Sequence, residues 1–176
     1  MGILIHACCA PCLTYTYEYF KENFSEDPSV LWFNPNIHPF KEYEKRLGSL
    51  KKYQGEMDIE IIYKDNYDLE NFLEGALGKN PRCQFCYRLR LSKAAEVAKE
   101  NGFNAYTTTL TISPYQDHDL IKKIGREEGE KIGIEFIYVD LTDGFYKSHD
   151  IADEMDLYKQ GYCGCIFSEM DRYKKE

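Results

Sequence analysis

Seven cysteines fall in three tight groups: Cys8-Cys9-Ala10-Pro11-Cys12, Cys83-Gln84-Phe85-Cys86 and Cys163-Gly164-Cys165. None stands alone. Thiols this close in sequence reach a common metal ion or cluster without straining the backbone. An odd number of clustered cysteines makes a poor disulfide framework. Metal chelation is the chemistry these residues point to. A structural zinc takes four ligands, and so does a four-iron cluster. Either leaves three thiols over. Spare thiols beside a cluster suit a second, mononuclear metal with an open coordination position, where substrate chemistry occurs. Free and exposed, they would instead be an oxidation liability. Iron–sulfur is the preferred reading over zinc.

These groups need a framework to carry them. Ile3–Ala7 is a short apolar run of the kind that forms a buried strand, and Leu13–Phe24 follows as a helix. Further strands are expected at Val30–Phe33, Ile59–Tyr63, Ala105–Thr109 and Glu135–Val139. Helices are expected at Lys41–Tyr53, Leu69–Leu77, Tyr87–Glu100 and Asp117–Lys131, the last capped by Asp117. The remainder reads as helix interrupted by Tyr162-Cys163-Gly164-Cys165. This alternation predicts one α/β domain over residues 1–176, with a mainly parallel sheet of about five strands and helices on both faces. Sites in such folds form beyond the carboxyl ends of the strands. Cys8–Cys12, Asn34–Pro39 and Thr107–Tyr115 all follow strands and so share one rim. Where related folds often cradle phosphate on glycines, this chain has Cys8–Cys12. Nucleotide hydrolysis is not expected. A helix N-terminus there favours thiolates and hence metal binding.

Composition is ordinary for a soluble protein apart from 15 tyrosines. No secretory leader and no stretch of membrane-spanning length is visible, and the Met1-Gly2 start lacks the Ser or Thr of a myristoylation signal at His6. A cytoplasmic protein with no membrane partner is expected. The net charge of −8 is unfavourable for binding nucleic acid. Lys79–Lys99, however, holds six cations against the single acid Glu96 and includes two of the cysteines. Such a basic stripe on an acidic body favours selective engagement.

Five blocks carry a family resemblance: Leu4–Cys12, Phe33–Pro39, Arg82–Leu91, Thr107–Leu110 with Ser113–Tyr115, and Leu157–Cys165. In this order the chain resembles the QueH type of epoxyqueuosine reductase over nearly its whole length. The resemblance implies a Rossmann-like fold close to nucleotide-hydrolase-like tRNA enzymes, without their ATP chemistry. It implies deoxygenation of epoxyqueuosine to queuosine at the wobble position of tRNA. It also implies an iron–sulfur site in place of cobalamin. Some members carry Asp where Cys12 stands, so the ligand there varies.

On that basis a 4Fe-4S cluster and an additional mononuclear iron are expected, with no cobalamin and no nucleotide cofactor. Cys9, Cys83, Cys86 and Cys163 are assigned to the cluster, and Cys8, Cys12 and Cys165 to the substrate side. His38 and Tyr115 are the candidate catalytic proton donors, ahead of His118 and of His6, which reads as a core residue. Asn34 and Asn36 are expected to bind the modified nucleoside, Tyr87 (with Tyr115) to stack on a base, and Arg88 and Arg90 to contact phosphate. The expected partners are the tRNA anticodon loop and a separate electron donor, with the enzyme a monomer. The rival readings are an ATP-dependent tRNA-modifying enzyme with a structural zinc, a zinc-stabilised tRNA-binding module, and a dithiol oxidoreductase.

Overall fold

The computed structural model describes residues 2–174. Five parallel strands form one sheet: β1 (Ile3–Ala7), β2 (Ser29–Trp32), β3 (Ile61–Tyr63), β4 (Ala105–Thr108) and β5 (Glu135–Phe136), in the spatial order β3-β2-β1-β4-β5. Strand β1 is central, with Ile5 opposite Val30 on one side and Thr107 on the other. Its residues are wholly buried, and each of its Ile and Leu side chains contributes about 1.5–3 kcal/mol by leaving water. His6 is the polar exception. It bridges Thr108 Oγ1 and the Phe33 carbonyl, both at 3.0 Å, as befits a satisfied core histidine.

Among the described residues, seven α-helices surround the sheet: α1 (Ala10–Asn23), α2 (Phe40–Met57), α3 (Leu69–Ala76), α4 (Arg82–Glu100), α5 (His118–Ile132), α6 (Phe145–Glu154) and α7 (Ile166–Tyr173), with short 3-10 turns at Thr109–Ile112 and Thr142–Gly144. Helices α1, α2 and α6 pack as one group, and α4 packs against α5 and α3. Winding reverses at β1, and right-handed crossovers then place the two groups on opposite faces of the sheet. Asp117 caps α5 as expected, accepting from the Leu120 N–H at 3.0 Å. No helix among the described residues is long and apolar enough to cross a membrane.

The largest departure from the sequence reading is α4. It begins at Arg82 rather than Tyr87, with Pro81 at its N-cap. Proline beside a helix start removes a donor that would be unsatisfied anyway. Cys83 and Cys86 therefore lie within the helix, not in the loop before it. Strand β5 is shorter than expected, although the Ile137 N–H still donates to the Tyr106 carbonyl at 2.9 Å.

Candidate metal centre

The reversal of strand order between β1 and β4 opens the crevice where α/β sheets place their sites. Cys8 leaves β1 there, and Thr109 leaves β4. The Cys8 N–H donates to Thr109 Oγ1 at 3.1 Å, and that hydroxyl lies 3.2 Å from Cys8 Sγ. Cys9 is the N-cap of α1, its Sγ accepting from the Cys12 N–H at 3.3 Å. The sulfurs of Cys8, Cys9 and Cys12 all lie within 4.8 Å of one another and are buried. Hydrogen bonding from Cys12 and Cys9 holds the Cys8 thiol well below its ordinary range. Burial pushes Cys9 up, and hydrogen bonding to Cys8 pushes Cys12 up. A metal ion bound among them would displace the protons these thiols carry.

A second set of thiols lies at the starts of α4 and α7. Cys83 and Cys86 sit in the first turns of α4, and Cys165 is the N-cap of α7, its Sγ accepting from Ser168 N at 3.4 Å. Burial pushes Cys86 up to about 12, and the nearby sulfurs of Cys163, Cys165 and Cys83 add to that shift. Burial likewise raises Cys83, with Cys163 and Cys165 contributing. All three cysteine groups therefore stand at helix N-termini.

Gly164, at φ +145°, turns the chain between Cys163 and Cys165. Its carbonyl accepts from the His38 N–H at 2.7 Å. Arg46, almost wholly buried, holds the Tyr162 and Cys163 carbonyls, each at 2.9 Å, and is paired with buried Glu42 at 2.7 Å. Two glutamines complete the wall. Gln160 Nε2 lies 3.0 Å from Cys9 Sγ, and Gln116 Nε2 lies 3.4 Å from Cys163 Sγ.

A sequence profile described as epoxyqueuosine reductase QueH matches residues 3–171. The chain belongs to the QueH family. An epoxyqueuosine reductase QueH of Dehalococcoides mccartyi is 36% identical over 174 residues, covering 98% of this chain and 95% of the relative. One from Thermotoga maritima is 31% identical over 184 residues, covering 98% and 93%. A solved chain described as a predicted subunit of tRNA methyltransferase from Methanocaldococcus jannaschii superposes with a TM-score of 0.54 at 12% identity, covering 88% of this chain and 76% of that one. That likeness concerns the fold alone.

In this QueH chain the grouping of thiols differs from the sequence assignment. Cys9 sits with Cys8 and Cys12 because all three flank the start of α1. Cys83 and Cys86 neighbour Cys163 and Cys165 instead. Cys8, Cys9 and Cys12 lie close enough together to hold a metal ion.

Several side chains expected to be open to substrate are buried or engaged within the protein. His38 is wholly buried among aromatics, its ring 5.0 Å from Phe72 and 5.7 Å from Tyr67. Burial lowers its pKa to about 4. Among the described residues neither of its ring nitrogens has a hydrogen-bond partner, nor do Asn34 Oδ1 and Asn36 Oδ1, and both asparagines are buried. Tyr87 is buried and donates to Gln116 Oε1 at 2.8 Å, so it supports Gln116 and offers no face to a base. Arg88 is committed to Glu127 at 2.7 Å and to Glu128, and Arg90 is buried beside Cys86, so neither reaches out to phosphate. Two of the six cations of the basic stripe, Arg88 and Arg90, are thus engaged within the protein. Tyr115 is the exception, 82% exposed one residue from Gln116 and edge-on to Phe145 at 5.8 Å, with exposed Tyr146 beyond.

Sequence reasoning missed Gln116, Gln160, Arg46 and Thr109. Three of them lie in or beside the resemblance blocks: Thr109 in the fourth, Gln160 in the last, Gln116 just after Tyr115. Arg46 carries no such signal, since an arginine within a helical stretch reads as surface.

Proposed function

We propose that this chain reduces epoxyqueuosine to queuosine at the tRNA wobble position, acting in the cytoplasm as a single-domain monomer without cobalamin. The observation that supports it is the buried triad of Cys8, Cys9 and Cys12 at the sheet's switch point in a QueH-family chain, with Cys83 and Cys86 neighbouring Cys163 and Cys165. The reaction takes two electrons and two protons, removes the epoxide oxygen as water and leaves an alkene. Cys83, Cys86, Cys163 and Cys165 would hold a four-iron cluster, and Cys8, Cys9 and Cys12 a single iron. Together these supply the electrons and a Lewis acid for the epoxide oxygen.

The protein's own groups do the rest. Gln160, with its amide nitrogen fixed by Cys9, presents a buried Oε1 that has no partner among the described residues. It serves as an acceptor for a substrate hydroxyl. Asn34 donates to the Ala7 carbonyl at 2.8 Å and so braces the start of the Cys8 loop. His38, neutral at pH 7 and enclosed, is displaced from the role of general acid by its pKa of about 4. Tyr115 takes that role, with its phenol in solvent at the rim. Its ring, together with Tyr146, offers a face to nucleotides splayed from the anticodon loop. Electrons arrive from a separate donor protein.

The test is anaerobic incubation with tRNA carrying epoxyqueuosine and a chemical reductant. Mass spectrometry of the digested nucleosides should show loss of one oxygen. An unchanged nucleoside, with iron present in the protein, would refute the reading.

A further inference from the structure

Two arginines are buried at this centre, and they differ in one respect. Arg46 has Glu42 as its counter-ion, and Tyr158 donates to the same carboxylate at 2.7 Å. Arg90 is 1% exposed, and among the described residues no carboxylate lies within ion-pair distance of it. Its donors go to the Cys86 carbonyl at 3.3 Å and to Cys86 Sγ at 3.2 Å. The spacing of Cys83, Cys86 and Arg90 places all three on one face of α4. A buried charge is retained only when it is paired. Burial opposes the charge on Arg90. The sulfurs of Cys86, Cys163 and Cys8, one from each cysteine group, favour it.

We propose that Arg90 is the fixed counter-ion of the thiolate-held centre, and that its charge and its hydrogen bond to Cys86 set how readily that centre accepts an electron. It is a positioning residue, touching a ligand sulfur and not the substrate. Net charge and hydrogen bonds to sulfur are the protein's levers on the potential of such centres. A permanent cation beside them favours the reduced, more negative state. The inference rests on the proposed iron–sulfur reading.

The test is redox titration of anaerobically prepared wild-type, Arg90→Gln and Arg90→Lys proteins, with iron and sulfide measured first. A wild-type protein without iron and sulfide sinks the iron–sulfur reading itself. With the centre present, Arg90→Gln should disfavour reduction about tenfold or more, which is about 59 mV for a one-electron couple. Arg90→Lys should stay close to wild type. Loss of the centre in folded Arg90→Gln but not in Arg90→Lys would equally support the proposal. An unchanged potential in Arg90→Gln, or Arg90→Lys behaving as Arg90→Gln, would overturn it. If Arg90→Gln does not fold, Arg90→Lys decides alone: a centre retained near the wild-type potential supports the proposal, and a tenfold shift or a lost centre defeats it.

Discussion

Gly164→Ala is the substitution that most sharply couples fold to metal binding. Gly164 stands at φ +145°, a region that side chains rarely adopt. An added Cβ would also lie 3.1 Å from Arg46 Nη1 and 3.4 Å from Ile37 Cγ1. Arg46 cannot withdraw without releasing the Tyr162 and Cys163 carbonyls and Glu42. Forcing a non-glycine residue into such a conformation costs about 1–3 kcal/mol. For a chain of this size that lowers the melting temperature by about 2–12 °C. The chain could relieve the strain by rotating this turn, which would move Cys163 and Cys165 away from Cys83 and Cys86. Iron content should therefore fall several-fold in anaerobic preparations. Gly102→Ala is the control. Gly102 also has positive φ (+75°), but nothing lies within 4 Å of its Cβ position, and it sits at the far end of α4. It should lose about 1–2 kcal/mol and keep its iron. Calorimetry and iron analysis of both variants decide the matter. Equal iron in both would refute the claim that this turn sets the geometry of the second thiol set.

Other outcomes follow from the same structure. Tyr115→Ala should weaken tRNA binding by about 1–3 kcal/mol without loss of iron, whereas Tyr115→Phe should keep affinity and lose turnover; filter binding and single-turnover kinetics separate the two. Arg88→Ala should leave the salt dependence of tRNA binding unchanged, because its guanidinium already serves Glu127 and Glu128. It should nevertheless destabilise the fold by about 1–2 kcal/mol, since Glu128 is buried; urea titration checks this. His38 has a folded pKa of about 4 against 6.5 ordinarily. The unfolded chain therefore binds more protons within that window, and stability falls on acidification. From neutrality to pH 5, His38 should account for a loss of about 2 kcal/mol. His38→Phe should flatten the pH dependence of urea unfolding by that amount.

Much of the framework was legible in the sequence. Apolar runs such as Ile3–Ala7 can only be buried, and β1 is indeed the centre of the sheet. Asp117 is a cap by its chemistry, and it caps α5. The place of Cys8–Cys12 could be anticipated because the loop after a central parallel strand lies at the switch point. The direction of individual side chains could not. Arg90 and Arg88 are two residues apart on α4, and helical geometry sends one into the thiols and the other toward α5. An arginine in a helix reads as solvated unless its buried neighbours are known. His38 lies in a polar turn by composition, yet aromatics from Tyr67 and Phe72 enclose it. The start of α4 was misplaced because Pro81 reads as a breaker as readily as a helix opener, and only the packed structure decides between them.

The central claim is that seven thiolates gather iron into two adjoining positions. Anaerobic protein should be analysed for iron, acid-labile sulfide and zinc, alongside Cys86→Ser and Cys12→Ser. The account predicts about four sulfides and more iron than sulfide in the wild type, sulfide lost in Cys86→Ser, and sulfide retained with less iron in Cys12→Ser. A sulfide-free zinc protein that still removes the epoxide oxygen would contradict it.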